Sequence, residues 1–124
     1  MRGDEERVIV AFCAWLESEG WTVQREVAFL DIHAERDGQR LFAEAKGKTS
    51  SPGLDVDTMY GQLLRRMYGA DYNVRYAVVV PEATVKAAAR VPAWVRERLR
   101  IDVYGVDHDG NVSLTPPLTA PGLG

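Results

Sequence analysis

The feature that most constrains the fold is a pair of alternating segments on either side of Asp37-Gly38, within LDIHAERDGQRLFAEAK at residues 30–46. Asp and Gly both tolerate the positive φ angles of a two-residue type I′ turn, so this dipeptide predicts a tight β-hairpin. With that turn, Arg36 lies opposite Gln39, and the numbers of every opposed pair sum to 75. The register then predicts which side chains share a face, because strand side chains alternate with a period of two.

The two faces of this hairpin differ in character. The face predicted to line the core carries Leu30, Ile32, Ala34, Leu41, Ala43 and Ala45. The other face places Asp31 opposite Glu44, with Lys46 one step beyond. Like charges opposed across a sheet, with Cβ atoms about 5 Å apart, are destabilising. Two interpretations are open: a solvated face on which Lys46 partly offsets the acids, or two carboxylates that chelate a divalent cation.

The remaining segments predict an α/β fold with a mixed central sheet flanked by helices. Helices are predicted over residues 4–19, 55–68, 82–90 and 92–99. Beyond the hairpin, strands are predicted over residues 21–27, 74–80 and 101–107, with an edge strand in 110–116. This order predicts antiparallel pairing early in the chain and parallel crossovers later. We expect one domain over residues 1–115 and a disordered Pro/Gly-rich tail over 116–124.

Composition narrows the class of protein. The 124 residues are 46% apolar and 27% charged, which is typical of a globular domain. No apolar run approaches the roughly 20 residues of a membrane span, so we expect no membrane partner. Cys13 is the single cysteine, which agrees with a cytoplasmic location. The net charge is −3, but residues 45–100 hold 10 Lys/Arg against 5 Asp/Glu, which allows a basic patch there.

The hairpin also matches a known family. LDIHAERDGQRLFAEAK resembles the Asp-Xn-(Asp/Glu)-X-Lys hairpin of the PD-(D/E)XK nuclease superfamily, with Asp31, Glu44 and Lys46 at the motif positions. A helix ending in Gly-Trp precedes it, as in small archaeal Holliday junction resolvases and Mrr-type endonucleases, and a helix bearing YGQLLRRM follows it. The resemblance covers roughly residues 4–80 and implies the restriction-endonuclease-like fold with its αβββαβ core.

The resemblance implies a Mg²⁺- or Mn²⁺-dependent endonuclease that hydrolyses phosphodiester bonds of DNA. Asp31, Glu44 and the backbone carbonyl of Ala45 would hold the metal, and Lys46 would help to orient the attacking water. Gln62, on the following helix, would help to orient a water or a phosphate; its other interpretation is an exposed helix face.

Further residues are expected near the site. Many members of the superfamily carry an acidic residue in the first helix, where this chain has Ile9. Glu5 or Glu6, about one turn earlier, could take its place beside the metal, or could instead match the charge of the helix N-terminus. The side chains expected to contact nucleic acid phosphates, with surface solubility as the competing role, are Lys48, Arg65 and Arg66.

Two other functions stay open. A catalytically inactive nuclease-fold module could bind nucleic acid or a partner protein, and Ile9 favours that alternative. An α/β protein with an accidental hairpin match is the third. Because one short chain offers one active site, we expect a homodimer or a larger complex if the protein makes double-strand cuts.

Overall fold

The computed structural model describes residues 2–27, 30–67 and 73–116. The elements in chain order are α1 (Arg2–Ser18), β1 (Thr22–Val27), β2 (Leu30–Arg36), β3 (Gln39–Ala45), α2 (Pro52–Arg65), β4 (Val74–Pro81), α3 (Val85–Ala88), α4 (Ala93–Leu99), β5 (Ile101–Val106) and β6 (Val112–Leu114). The predicted α/β fold, with a mixed sheet flanked by helices, is confirmed. The second helix begins three residues before its predicted start, because Pro52 is well suited to the first turn of a helix.

The central sheet has the strand order β1-β2-β3-β4-β5-β6. Pairing is antiparallel from β1 to β3, parallel from β3 to β5, and antiparallel again between β5 and β6. Parallel neighbours require a crossover, which α2 supplies between β3 and β4 and the α3–α4 segment supplies between β4 and β5. The predicted change from antiparallel to parallel pairing is therefore confirmed.

The predicted hairpin register is also confirmed. The opposed pairs include Arg36–Gln39, Ala34–Leu41 and Ile32–Ala43. Asp37 and Gly38 have φ angles of 52° and 82°, as a type I′ turn requires.

Apolar layers cover both faces of the sheet. On one face, Phe12 and Leu16 of α1 join a cluster with the hairpin residue Ala43. On the other, Leu63 of α2 joins a cluster with Val78 of β4. The second layer lies on the same face as the polar side of the hairpin. As a result, α2 covers a face that alternation alone would assign to solvent.

The domain boundary at residue 115 stays a prediction, and residues 117–124 of the predicted tail lie outside the described residues. Within the part of the chain that the structure describes, no helix combines the length and the apolar character needed to cross a bilayer.

Candidate active site

The opposed carboxyl groups of the hairpin lie where β2 and β3 reach the edge of their pairing. Asp31 and Glu44 are one step beyond the last β2–β3 pair, Ile32–Ala43. Asp31 Oδ2 accepts a 2.7 Å hydrogen bond from the backbone N–H of Ala45, which fixes this carboxylate against β3.

Burial decides between the two interpretations of this face. Glu44 is only 5% exposed, whereas glutamate is almost never buried without a partner. Its Oε1 atom is buried and makes no hydrogen bond to any described part of the protein. Glu44 therefore does not lie on a solvated face of the hairpin. It lies on the face of the sheet that α2 covers.

The electrostatics of the pair follow from this burial. The pKa of Glu44 is raised to about 8, first by burial, then by the negative charge of Asp31 and by a hydrogen bond with Asp31. The positive charges of Arg66 and Lys46 act in the opposite direction. At pH 7 a pKa of about 8 leaves Glu44 mostly protonated in the metal-free protein.

The donor set suits a hard divalent cation. Across residues 2–27, 30–67 and 73–116 there is no group of three or more His, Cys, Asp or Glu side chains that could hold a metal. The site instead supplies the two carboxylates of Asp31 and Glu44. Mg²⁺ is commonly held by one or two carboxylates and keeps several waters, so this pair fits its ordinary mode of binding. The buried Oε1 of Glu44, which has no hydrogen-bond partner among the described residues, is an oxygen atom free to bind a metal.

Lys46 lies at the mouth of the site. Its backbone N–H donates a 3.0 Å hydrogen bond to the carbonyl of Val79, which extends the β3–β4 pairing by one residue. Its ammonium nitrogen is 3.7 Å from Glu5 Oε1, and the two side chains are 39% and 38% exposed. The same ammonium lowers the pKa of Glu44. The structure thus brings together Asp31, Glu44, Lys46 and Glu5.

The two acidic candidates on the first helix, Glu5 and Glu6, have different partners. Glu6 accepts hydrogen bonds of 2.9 and 2.6 Å from the guanidinium of Arg25 on β1, so it faces away from Lys46. A place for Glu6 beside the metal stays a prediction. Ile9 is 6% exposed within the apolar layer under α1. Glu5, one turn before Ile9, lies beside the site through its contact with Lys46.

The remaining predicted residues fall into two groups. Gln62, Arg65 and Lys48 are exposed, the first two on α2 and the third on the loop after β3. Arg66 is half-buried at the C-terminus of α2, and its charge reaches Glu44. Arg66 therefore contributes to the electrostatics of the carboxyl pair, a role that sequence periodicity did not indicate. Contacts of these four side chains with nucleic acid or water stay predictions.

A row of rings borders the carboxyl pair on the same face of the sheet. His33, Phe42 and Tyr76 are neighbours across β2, β3 and β4, with ring centroids 4.6 and 6.0 Å apart. Burial lowers the pKa of His33, whose Nε2 is 3.6 Å from a carboxylate oxygen of Glu35. The alternation of side chains along the hairpin predicts that His33 and Phe42 share this face. Tyr76 joins them only through the parallel register of β3 and β4, which the hairpin sequence does not indicate.

Comparison with known proteins shows that this chain resembles solved structures in its fold. No protein-family model and no curated protein sequence matches this chain. An XisH family protein from Nostoc punctiforme superposes with a TM-score of 0.61 at 16% identity, over 89% of this chain and 99% of that one. An fdxN element excision controlling factor protein from Anabaena variabilis gives a TM-score of 0.63 at 19% identity, over 90% and 99%. At these identities the likeness shows that the chains share a fold over nearly their whole length.

Proposed function

We propose that this protein is a metal-dependent nuclease that hydrolyses phosphodiester bonds of DNA. The observation that carries the proposal is the buried Asp31–Glu44 pair, in which Glu44 is 5% exposed and its Oε1 has no partner among the described residues. Burying two carboxyl groups against each other destabilises a fold. A bound cation offsets that cost, so the arrangement is better explained by a ligand than by folding. The hairpin's resemblance to PD-(D/E)XK nucleases supports the same conclusion.

In this proposal, Asp31, Glu44 and the carbonyl of Ala45 hold Mg²⁺ or Mn²⁺. The bound ion supplies charge stabilisation at a phosphoryl oxygen and makes a bound water more acidic. Lys46, half-exposed at the mouth of the site, holds the attacking water or stabilises negative charge that develops on the phosphoryl group.

The surface around the mouth of the site is proposed to hold the DNA. Lys48 and Arg65 are exposed cations that contact phosphates and position the duplex without reading its sequence. Gln62, exposed on the same helix as Arg65, orients a water or a phosphate. One structural neighbour is described as a factor that controls excision of the fdxN element, and a DNA substrate agrees with that description. We propose that this activity is cytoplasmic. For double-strand cuts we expect a homodimer or a larger complex. Light scattering with and without DNA tests this expectation.

A second candidate is a non-catalytic module of the same fold that binds nucleic acid or a partner protein. It is favoured by the raised pKa of Glu44, because protonation removes the charge of Glu44 without a metal. Lys46 likewise has a partner in Glu5 without any substrate. Metal binding and turnover distinguish the two candidates.

The test is cleavage of supercoiled, single-stranded and branched DNA in Mg²⁺ or Mn²⁺. The parent is compared with Lys46→Ala and with Lys86→Ala, which changes an exposed lysine of α3. We expect the parent and Lys86→Ala to cut at equal rates. Lys46→Ala should be slower by roughly 10²–10³-fold, the usual effect of removing one group that stabilises the transition state. Cutting that persists in Lys46→Ala, or no cutting of any substrate by the parent, contradicts the proposal.

A further inference from the structure

The first turn of α1 is packed directly against the loop that carries Lys46. Gly47 is buried there, and a Cβ atom at this position would lie 2.7 Å from the carbonyl carbon of Asp4 and would also overlap the backbone nitrogen of Glu5. Real Cβ atoms do not approach backbone atoms so closely. Glycine at position 47 therefore allows the start of the helix to reach this loop.

Side chains of the same helical turn reinforce the contact. The backbone N–H of Lys48 donates a hydrogen bond to Asp4 Oδ2, and the Nε of Arg7 donates to Asp4 Oδ1 at 3.1 Å. Arg7 also donates from Nη1 to the carbonyl of Asp107 at 2.7 Å. The hydrogen bond from Lys48 is the largest cause of a lowered pKa at Asp4. These bonds join α1, the loop after β3 and the turn after β5.

The loop is consequently held at two points on either side of Gly47. The N–H of Lys46 is bonded to Val79 of β4, and the N–H of Lys48 is bonded to Asp4 of α1. The side chain of Lys46 projects from the segment between these anchors, beside Glu5 of the same helical turn as Asp4. Displacing Asp4 moves both the loop backbone and the acidic neighbour of Lys46.

We propose that Asp4 is a positioning residue, which clamps the loop of residues 46–48 through its bond to Lys48 and thereby sets the place of Lys46 in the active site. Asp4 is not expected to contact substrate. The catalytic part of this inference rests on the proposed nuclease function, whereas the structural part can be measured without it. The competing role for Asp4 is charge matching at a helix N-terminus, which would make it a purely structural residue.

Two substitutions of Asp4 separate these roles. Asp4→Asn removes the charge but keeps an oxygen that can accept the hydrogen bond from Lys48, whereas Asp4→Ala removes both. Arg25→Gln is the matched control, because it breaks an ion pair between α1 and β1 away from the loop. For each variant, amide hydrogen exchange at Lys48 is measured by NMR together with kcat and KM for DNA cleavage.

We expect Asp4→Ala to accelerate exchange at Lys48 by about tenfold or more and to lower kcat by roughly 10- to 100-fold, with KM nearly unchanged. The upper figure is the typical effect of misplacing a group by about 1 Å. Asp4→Asn and Arg25→Gln should stay within about threefold of the parent. Gly47→Ala should reproduce the effect of Asp4→Ala, and the double variant should lose little more, because both changes break the same contact.

Equal losses of kcat in Asp4→Ala and Arg25→Gln would overturn the proposal, since a general loss of helix stability would then explain both. Losses in Asp4→Asn as large as those in Asp4→Ala would overturn it as well, in favour of charge matching. If the parent cuts no DNA, the proposed nuclease function fails, and amide exchange at Lys48 alone tests the clamp. Unchanged exchange in Asp4→Ala then overturns the clamp, and accelerated exchange supports it.

Discussion

Replacing Glu44 with glutamine is expected to stabilise the metal-free protein at high pH. The substitution keeps the size of the side chain and removes its titration. In the folded parent the pKa of Glu44 is about 8, against an ordinary value of 4.5. Between these values the folded chain binds more protons than the unfolded chain, so the parent's free energy of unfolding falls as the pH rises. The stability that protonated Glu44 contributes is complete below pH 4.5 and is lost by about pH 8.

The size of the effect follows from the width of this window. The difference between the two pKa values is 8 − 4.5 = 3.5 units. At about 1.4 kcal/mol per unit, the upper bound is roughly 5 kcal/mol. Relaxation around the ionised pair lowers the measured value. Even half of this bound is a large share of the roughly 5–15 kcal/mol that stabilises a typical domain.

The assay is urea denaturation from pH 5 to pH 9 in the presence of a chelator, for the parent and for Glu44→Gln. The difference between the two free energies of unfolding is then plotted against pH. This difference removes the contribution of His33, whose lowered pKa makes stability rise with pH in the lower part of this range. Glu97→Gln, at an exposed position of α4, serves as the control and should give a flat difference.

The predicted result is a difference that shifts steadily in favour of Glu44→Gln between pH 5 and about pH 8 and then levels off. A difference that is flat across this range would contradict this prediction, because it would mean that Glu44 titrates alike in the folded and unfolded chains. The prediction would also be contradicted if the difference in free energy of unfolding shifted in favour of Glu44→Gln toward low pH instead of toward high pH.

Two further predictions concern the packing of helices against the sheet. Leu63→Ala removes a fully buried side chain between α2 and the sheet and should lower the free energy of unfolding by about 2–5 kcal/mol. Leu64→Ala, at a 45% exposed position, should change it by no more than about 0.5 kcal/mol. Urea denaturation measures both. Gly105→Ala places a Cβ 2.6 Å from a methyl group of Val85 and should cost about 1–3 kcal/mol, seen as a lower melting temperature; an unchanged melting temperature would contradict the close packing.

The hairpin shows how much of the fold could be predicted from sequence. Asp37-Gly38 defines the turn, and the apolar alternation beside it defines the register, so the opposition of Asp31 and Glu44 required only local information. Helix and strand order followed from periodicity for the same reason. The residues that form a shared face within one hairpin are separated by few positions, and their geometry is set by the chain itself.

The environment of the site could not be predicted in this way. Burial of Glu44 depends on α2 packing over the polar side of the hairpin, and no local pattern in residues 30–46 indicates that cover. The effect of the Arg66 charge on Glu44 and the hydrogen bond from Lys48 to Asp4 both join residues that lie far apart in the sequence. Gly47 resembled an ordinary loop glycine until the approach of α1 showed why a side chain there would clash.

Asp31 and Glu44 are proposed to form a divalent-cation site. The most direct test is calorimetric titration of Mn²⁺ into the metal-free protein at pH 7, in buffers of different ionisation enthalpy, for the parent and for Asp31→Asn. We predict one ion per chain, with release of about one proton because Glu44 must ionise to bind the metal. Asp31→Asn should weaken binding by more than about tenfold. Absence of binding by the parent, or equal binding by Asp31→Asn, would contradict the claim.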